Sequence, residues 1–144
     1  MAKNILWIDN DIPFIRPYVN DLRKRGDTVD AVASLSEAED LLGKHAYDLV
    51  IVDVMVPTQN EREISNYPSG ESDFGHQTGL MFYSRVRQML GNKLPKVAVM
   101  TVRLDQDIKD LFIQRGLKRE NFLTKYSVRE IPRFLEKIDS IIAD

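Results

Sequence analysis

Along this chain, short unbroken apolar runs alternate with longer segments in which apolar residues recur every three or four positions. The compact runs are Asn4–Ile8 (NILWI), Leu49–Val52 within Tyr47–Pro57 (YDLVIVDVMVP) and Lys96–Met100 (KVAVM), with shorter ones at Thr28–Ala33 and Asn121–Thr124. Runs of this length, rich in β-branched residues, suit strands buried on both faces of a parallel sheet. Helical spacing links Ile15, Val19 and Leu22 before Gly26, and Ala38, Leu41 and Leu42 further on. It returns at Leu80, Met81, Val86, Met89 and Leu90 before Gly91, at Ile108, Leu111 and Phe112 before Gly116, and at Ile131, Leu135, Ile138 and Ile142. Strand and helix therefore alternate, which predicts an α/β fold: a doubly wound five-stranded parallel sheet with helices on both faces.

Helix ends add detail. Asn10 or Asp11 is the expected cap of the first helix. Pro13 suits a first turn, but Pro17 predicts a late start or a bend. Ser36 and Glu39 read as a capping box, Thr78 as a cap, and Ser127 with Glu130 as a second box; Pro132 moves that last start nearer Glu130. The rhythm fails from Thr58 to Gln77, which is polar, holds Pro68, Gly70 and Gly75, and shows no period. The expected organisation is one domain over residues 1–144 with a long inserted loop at about 58–78. Loops of this length are usually functional or disordered. This one reads either as a lid or docking surface over the adjoining acidic edge, or as a surface insertion tolerated because loop length costs little entropy. Its acids Glu61, Glu63, Glu71 and Asp73 outnumber Arg62, and Asp73 with His76 is too little for a metal site.

With 144 residues, 43% of them hydrophobic, the chain has enough apolar content for an ordinary core. Lys and Arg (20) nearly balance Asp and Glu (22), which argues against binding nucleic acid or membrane through bulk charge. The absence of cysteine excludes disulfides and thiolate metal sites, and two histidines, His45 and His76, disfavour a zinc centre. No apolar run approaches the ~20 residues of a membrane span, and no signal peptide opens the sequence. A cytoplasmic protein without direct nucleic-acid or membrane contact is expected.

The chemistry gathers at strand ends. In an open α/β sheet, reactive groups collect just beyond the carboxyl ends of the strands. Here the first strand ends in Asp9, Asn10 and Asp11, the third in Asp53, the fourth in Thr101 and the fifth in Lys125; only the second ends blandly, at Ala33-Ser34. In a sheet ordered 2-1-3-4-5 the silent strand lies at one margin and the other four are neighbours. Clustered carboxylates need a cation, and oxygen donors select a hard one such as Mg²⁺. A carboxylate beside Mg²⁺, an ammonium and a hydroxyl can attack a phosphoryl group, leaving an acyl phosphate on Asp53.

The stretches ILWIDND, LVIVDVMVP, VAVMT and FLTK, in this order at successive strand ends, resemble the receiver domains of two-component response regulators. The resemblance covers essentially the whole chain except Thr58–Gln77, and it includes the spacing from Asp53 to Pro57. It implies the flavodoxin-like strand order 2-1-3-4-5 and a phosphoryl-accepting signalling switch. In that scheme Asp53 takes phosphate from a histidine kinase or phosphotransfer protein, with Thr101 and Lys125 assisting. Mg²⁺ would be held by Asp9, Asn10, Asp53 and the backbone carbonyl of Met55, with Asp11 as an accessory candidate. Thr101 and Phe122 would form the switch, and output would pass to a downstream protein partner. Such a domain is not an enzyme beyond self-phosphorylation and autodephosphorylation.

Three departures carry weight. Asn10 stands where the family usually has a carboxylate, which predicts weaker Mg²⁺ binding. Lys125 is followed by Tyr126 rather than proline, and a cis bond there would cost about 2.5–4 kcal/mol. Val102, β-branched, follows Thr101 where a small residue is usual. Asn10 and Tyr126 favour an alternative, a degenerate receiver acting as a phosphorylation-independent docking module. A remoter alternative is a haloacid dehalogenase-like phosphatase with Asp9 as nucleophile and Asp11 as acid–base; it leaves Asp53 without a role and lacks an acidic pair after Lys125. Trp7 is expected to pack, Phe122 to be partly core, and Arg115, Lys118 and Arg119 to be a solvated helix end.

Overall fold

In the computed structural model, which describes residues 2–67, 78–101, 106–124 and 130–144 apart from the side chains of Thr101 and Thr124, the apolar runs do form strands. They are β1 (Asn4–Ile8), β2 (Thr28–Val32), β3 (Leu49–Val52), β4 (Lys96–Thr101) and β5 (Phe122–Thr124). All pair in parallel, in the expected order β2-β1-β3-β4-β5. Ile8 lies opposite Val32 on one side and Val52 on the other, and Val52 opposite Val99. Because side chains alternate across a strand, each run feeds two cores. Leu6, Ile8, Val50, Val52, Val97 and Val99 fill one; Ile5, Trp7, Leu49, Ile51, Ala98 and Met100 fill the other.

The second core is closed by α1 (Ile12–Lys24) and α6 (Ile131–Ala143). Asp11 caps α1, its carboxylate accepting from the Phe14 N–H at 3.3 Å. Of the late start or bend expected from Pro17, the late start is not found: the helix begins at Ile12 and runs through that residue. Proline there removes one intrahelical donor, and burial of Ile15, Tyr18, Val19 and Leu22 on the sheet holds the helix regardless. Trp7 is fully buried, stacked on Phe134 at 5.6 Å and tilted against Tyr18, and so is a packing residue as expected. Glu130 flanks α6 without a side-chain capping bond, and Pro132 sits in its first turn; Ser127 lies outside the described residues.

The first core is covered by α2 (Leu35–Lys44), α4 (Thr78–Leu90) and α5 (Gln106–Gln114). The cap of α2 is Ser34, not Ser36. Its Oγ accepts from the Glu37 N–H at 3.3 Å, so the capping pair lies two residues earlier than expected. The repeated serine offers two registers, and the earlier one turns Leu35 and Ala38 fully into the core. Thr78 is the first residue of α4 rather than a cap outside it, and a 3₁₀ turn, Gly91–Lys93, follows that helix. Asn121 precedes β5 in another 3₁₀ turn and donates to the Val97 carbonyl at 2.9 Å.

The inserted stretch is not structureless where it is described. It contains α3 (Glu61–Asn66), capped by Asn60, whose Oδ1 accepts from the Glu63 N–H at 2.8 Å. Asn60 and Glu63 have the capping-box spacing, a signal overlooked amid the polar composition of the segment. Glu63 itself is fully buried. One carboxylate oxygen receives Ser34 Oγ at 2.7 Å, Ser36 Oγ at 2.6 Å and the Ser36 N–H at 3.1 Å; the other receives the Gln59 N–H at 2.9 Å. Just beyond α3, Tyr67 donates to Glu39 at 2.7 Å, and Arg85 of α4 donates to the other oxygen of Glu39 at 2.8 Å. The first half of the insertion is therefore stitched to α2 by buried, satisfied polar contacts.

Burial pushes the Glu63 carboxyl up, but the donations from Ser36 and Ser34 and from the Ser36 and Gln59 backbone outweigh it and hold the group below the usual glutamate value. A carboxyl depressed in the folded state adds stability above its unfolded pKa, near 4.3, and loses that contribution as pH falls through the folded value. Glu63→Gln is expected to cost about 1–3 kcal/mol at neutral pH. Urea unfolding from pH 7 down to pH 3 should show the gap between the two proteins closing in acid; parallel curves would refute this assignment.

Candidate functional site

The two central strands deliver the acids. The ladder continues one step past β1 and β3: the Asp9 N–H donates to the Val32 carbonyl and the Asp53 N–H to the Ile8 carbonyl, each at 3.0 Å. Since Ile8 and Val52 are paired, Asp9 and Asp53 occupy corresponding positions on neighbouring strand ends. Both are withdrawn from solvent, at 0% and 6% exposure. Asp9 accepts from the Asp11 N–H at 2.9 Å, and Asp53 accepts from the Met55 N–H at 3.3 Å. Each aspartate thus turns an oxygen back on the N–H two residues later, a local bond that sets the exit direction of the loop.

Behind Asp53, the start of α4 grips the loop. The Gly79 N–H donates to the Val54 carbonyl at 2.8 Å. A Cβ on Gly79 would lie 2.0 Å from the Asp53 carbonyl oxygen and 2.9 Å from the Val54 Cα, so only glycine permits this approach. Next to it, the Thr78 hydroxyl accepts from the Val56 N–H at 2.9 Å and donates to the Val56 carbonyl. Neither Thr78 nor Gly79 was singled out for this from the sequence. The available signal was the pair Thr78-Gly79 opening an amphipathic helix immediately after the insertion.

The other candidates are placed as follows. Asn10 is exposed at the rim beside Asp9, and the Met55 side chain is 45% exposed. Asp11 is exposed and spends one oxygen on the α1 cap. Thr101 ends β4 opposite Thr124, so backbone register brings the fourth and fifth strand ends to the same edge as Asp53. The side chain of Thr101, and Lys125, Tyr126, Val102, Asp73 and His76 altogether, lie outside the described residues. Phe122 is 7% exposed, edge-to-face with Phe112 at 5.9 Å, with the Lys109 ammonium 5.4 Å from its ring centre. It occupies the inward position, as a member of the core.

The donor set suits a hard divalent cation. Two carboxylates on adjacent strand ends carry the charge, and the Asn10 amide and Met55 carbonyl are within the same two loops; all are oxygen donors. Among the described residues no group of three or more Asp, Glu, His or Cys side chains is arranged to hold a metal ion, so any site here rests on two carboxylates completed by neutral oxygens. Glu63 of the insertion is directed elsewhere, to the α2 N-terminus. Nor, among the described residues, is any helix long and apolar enough to cross a membrane.

These features define a known architecture: the chain has the fold of response regulator receiver domains. Similar solved structures include a response regulator from Thermotoga maritima (TM-score 0.75, 22% identity, 100% of each chain covered). The chemotaxis response regulator CheY4 of Vibrio cholerae aligns at TM-score 0.70 and 19% identity, over 96% of this chain and 99% of that one. The beryllofluoride-activated NtrC4 receiver domain dimer aligns at TM-score 0.71 and 20% identity, over 97% and 96%. No protein-family model matches the chain, and no curated protein matches it by sequence.

The glycine contact is directly testable. Gly79→Ala should lower stability by about 2 kcal/mol or more, because backbone must yield to the new methyl. Gly43→Ala, where a Cβ meets nothing within 4 Å, should be neutral or stabilise α2 by about 0.5 kcal/mol. Thermal unfolding of the two variants side by side distinguishes close approach at Gly79 from a general response to alanine.

Proposed function

We propose that this chain is a phosphoryl-accepting signalling switch in which Asp53 is the acceptor. The observation that carries the reading is the placement of Asp9 and Asp53, both buried, at the ends of adjacent central strands in a receiver fold. An Asp53 oxygen attacks the phosphorus of a phosphohistidine on a kinase or phosphotransfer protein. The new O–P bond forms as the N–P bond breaks, and the electron pair returns to the imidazole. Asp9, the Asn10 amide, Asp53 and the Met55 carbonyl would hold Mg²⁺, which when bound offsets charge on the phosphoryl oxygens. The Thr101 hydroxyl donates to the phosphoryl group and Lys125 supplies a positive charge beside it. Thr101 and Phe122 then relay the state to the surface formed by α5, β5 and α6, where a partner protein reads it. Asn10 makes the metal site one formal charge poorer than a carboxylate would.

A phosphorylation-independent docking module is the competing reading, and Asn10 and Tyr126 are the residues that favour it. The phosphatase reading is weakened by Asp11, whose carboxylate caps α1 rather than standing free as an acid–base group. Titration with beryllofluoride and Mg²⁺, followed by amide chemical shifts, separates these readings. The switch predicts shifts at residues 53–56 and 99–101 in the wild-type protein, lost in Asp53→Asn and needing higher Mg²⁺ in Asp9→Asn. A silent wild-type protein supports docking. Turnover of p-nitrophenyl phosphate abolished by Asp9→Asn but retained by Asp53→Asn supports the phosphatase.

A further inference from the structure

The backbone of the loop after Asp53 is held at several points, among them the Met55 N–H, which donates to the Asp53 carboxylate at 3.3 Å. The Asp53 N–H is in the ladder with Ile8, the Val54 carbonyl receives Gly79, and both polar groups of Val56 are taken by the Thr78 hydroxyl. Met55 lies between these anchors, and its carbonyl shares one planar peptide group with the Val56 N–H. In a trans peptide these two groups point in opposite directions, so fixing the N–H fixes the carbonyl. Thr78 is 5% exposed and its hydroxyl is fully engaged, donating once and accepting once. Without that hydroxyl, the N–H of Val56 would have no reason to face α4, and the Met55–Val56 peptide could rotate.

We propose that Thr78 is a positioning residue for the metal site: its hydroxyl, bonded both ways to Val56, orients the Met55–Val56 peptide so that the Met55 carbonyl faces the cation. The inference rests on the proposed Mg²⁺ site at Asp9, Asn10 and Asp53. It also gives the insertion a defined boundary. Val56, just before the insertion, and Thr78, just after it, are tied together by the Thr78 hydroxyl. With Asn10 contributing no charge, correct aim of a neutral carbonyl counts for more here than in a site with a third carboxylate.

Mg²⁺ binding to the whole chain is measured by calorimetry for wild type, Thr78→Val and Thr78→Ser, with cooperative thermal unfolding as the check on folding. Thr78→Val should weaken Mg²⁺ by about 10-fold or more, while Thr78→Ser, which keeps the hydroxyl, should stay within about 3-fold of wild type. A folded Thr78→Val protein with wild-type affinity overturns the proposal. So does equal weakening in both variants, since that would report lost packing of the methyl. If Thr78→Val fails to fold, the decision passes to wild type: Mn²⁺ should broaden the Met55 carbonyl and Val56 amide resonances at substoichiometric levels, and sparing of both overturns the proposal. Failure of the metal site itself looks different, because wild type would then bind no Mg²⁺ and Asp9→Asn would change nothing.

Discussion

The ladder between β1 and β3 is the constraint on which the rest depends. Its parallel register, Ile5 to Ile8 against Leu49 to Val52, fixes where both chains leave the sheet, and its last bond, Asp53 N–H to the Ile8 carbonyl, fixes the level at which the acids emerge. Four fully or nearly fully buried side chains on each strand keep that register from slipping, because a one-residue shift would exchange the inhabitants of the two cores. The acids thus inherit their position from hydrophobic packing several residues away.

The insertion shows a different balance. A polar segment usually stays out of a protein because its groups lose water without recompense. Here the segment brings its own acceptor, Glu63, to donors already gathered at the start of α2, where the first N–H groups of a helix lack intrahelical partners and favour negative charge. Glu39 completes the arrangement from the other side, joined to Tyr67 and to Arg85 of α4. The exposed Arg62–Asp40 pair adds little, being screened by solvent. What anchors the segment is therefore the interior network, in which every oxygen of Glu63 and Glu39 has a donor.

The strands and the acids at their ends could be read from the sequence, because unbroken β-branched runs have few alternatives once helices separate them; their order followed from the family resemblance. Asp9 and Asp53 were legible for the same reason: each directly follows such a run. Helix starts were less so. Ser34 and Ser36 both satisfy the local rule for a cap, and only the burial of Leu35 decides between them. Pro17 suggests a late start that does not occur, because a single lost donor is visible in a sequence while the packing of Ile15, Tyr18, Val19 and Leu22 is not. The contacts of Thr78, Gly79 and Glu63 could not be read from the sequence, since their partners, Val56, Asp53 and Ser36, are brought close only by the fold.

The buried contacts of α3 make the insertion and its host surface a matched set. Transplanting residues 58–67 onto another receiver scaffold would strand Glu63 without Ser34 and Ser36, and Tyr67 without the Glu39–Arg85 pair. The segment is for that reason not a portable module. In any lineage of such chains, the side chains facing α3 from α2 and α4 would have to be acquired, or given up, along with it.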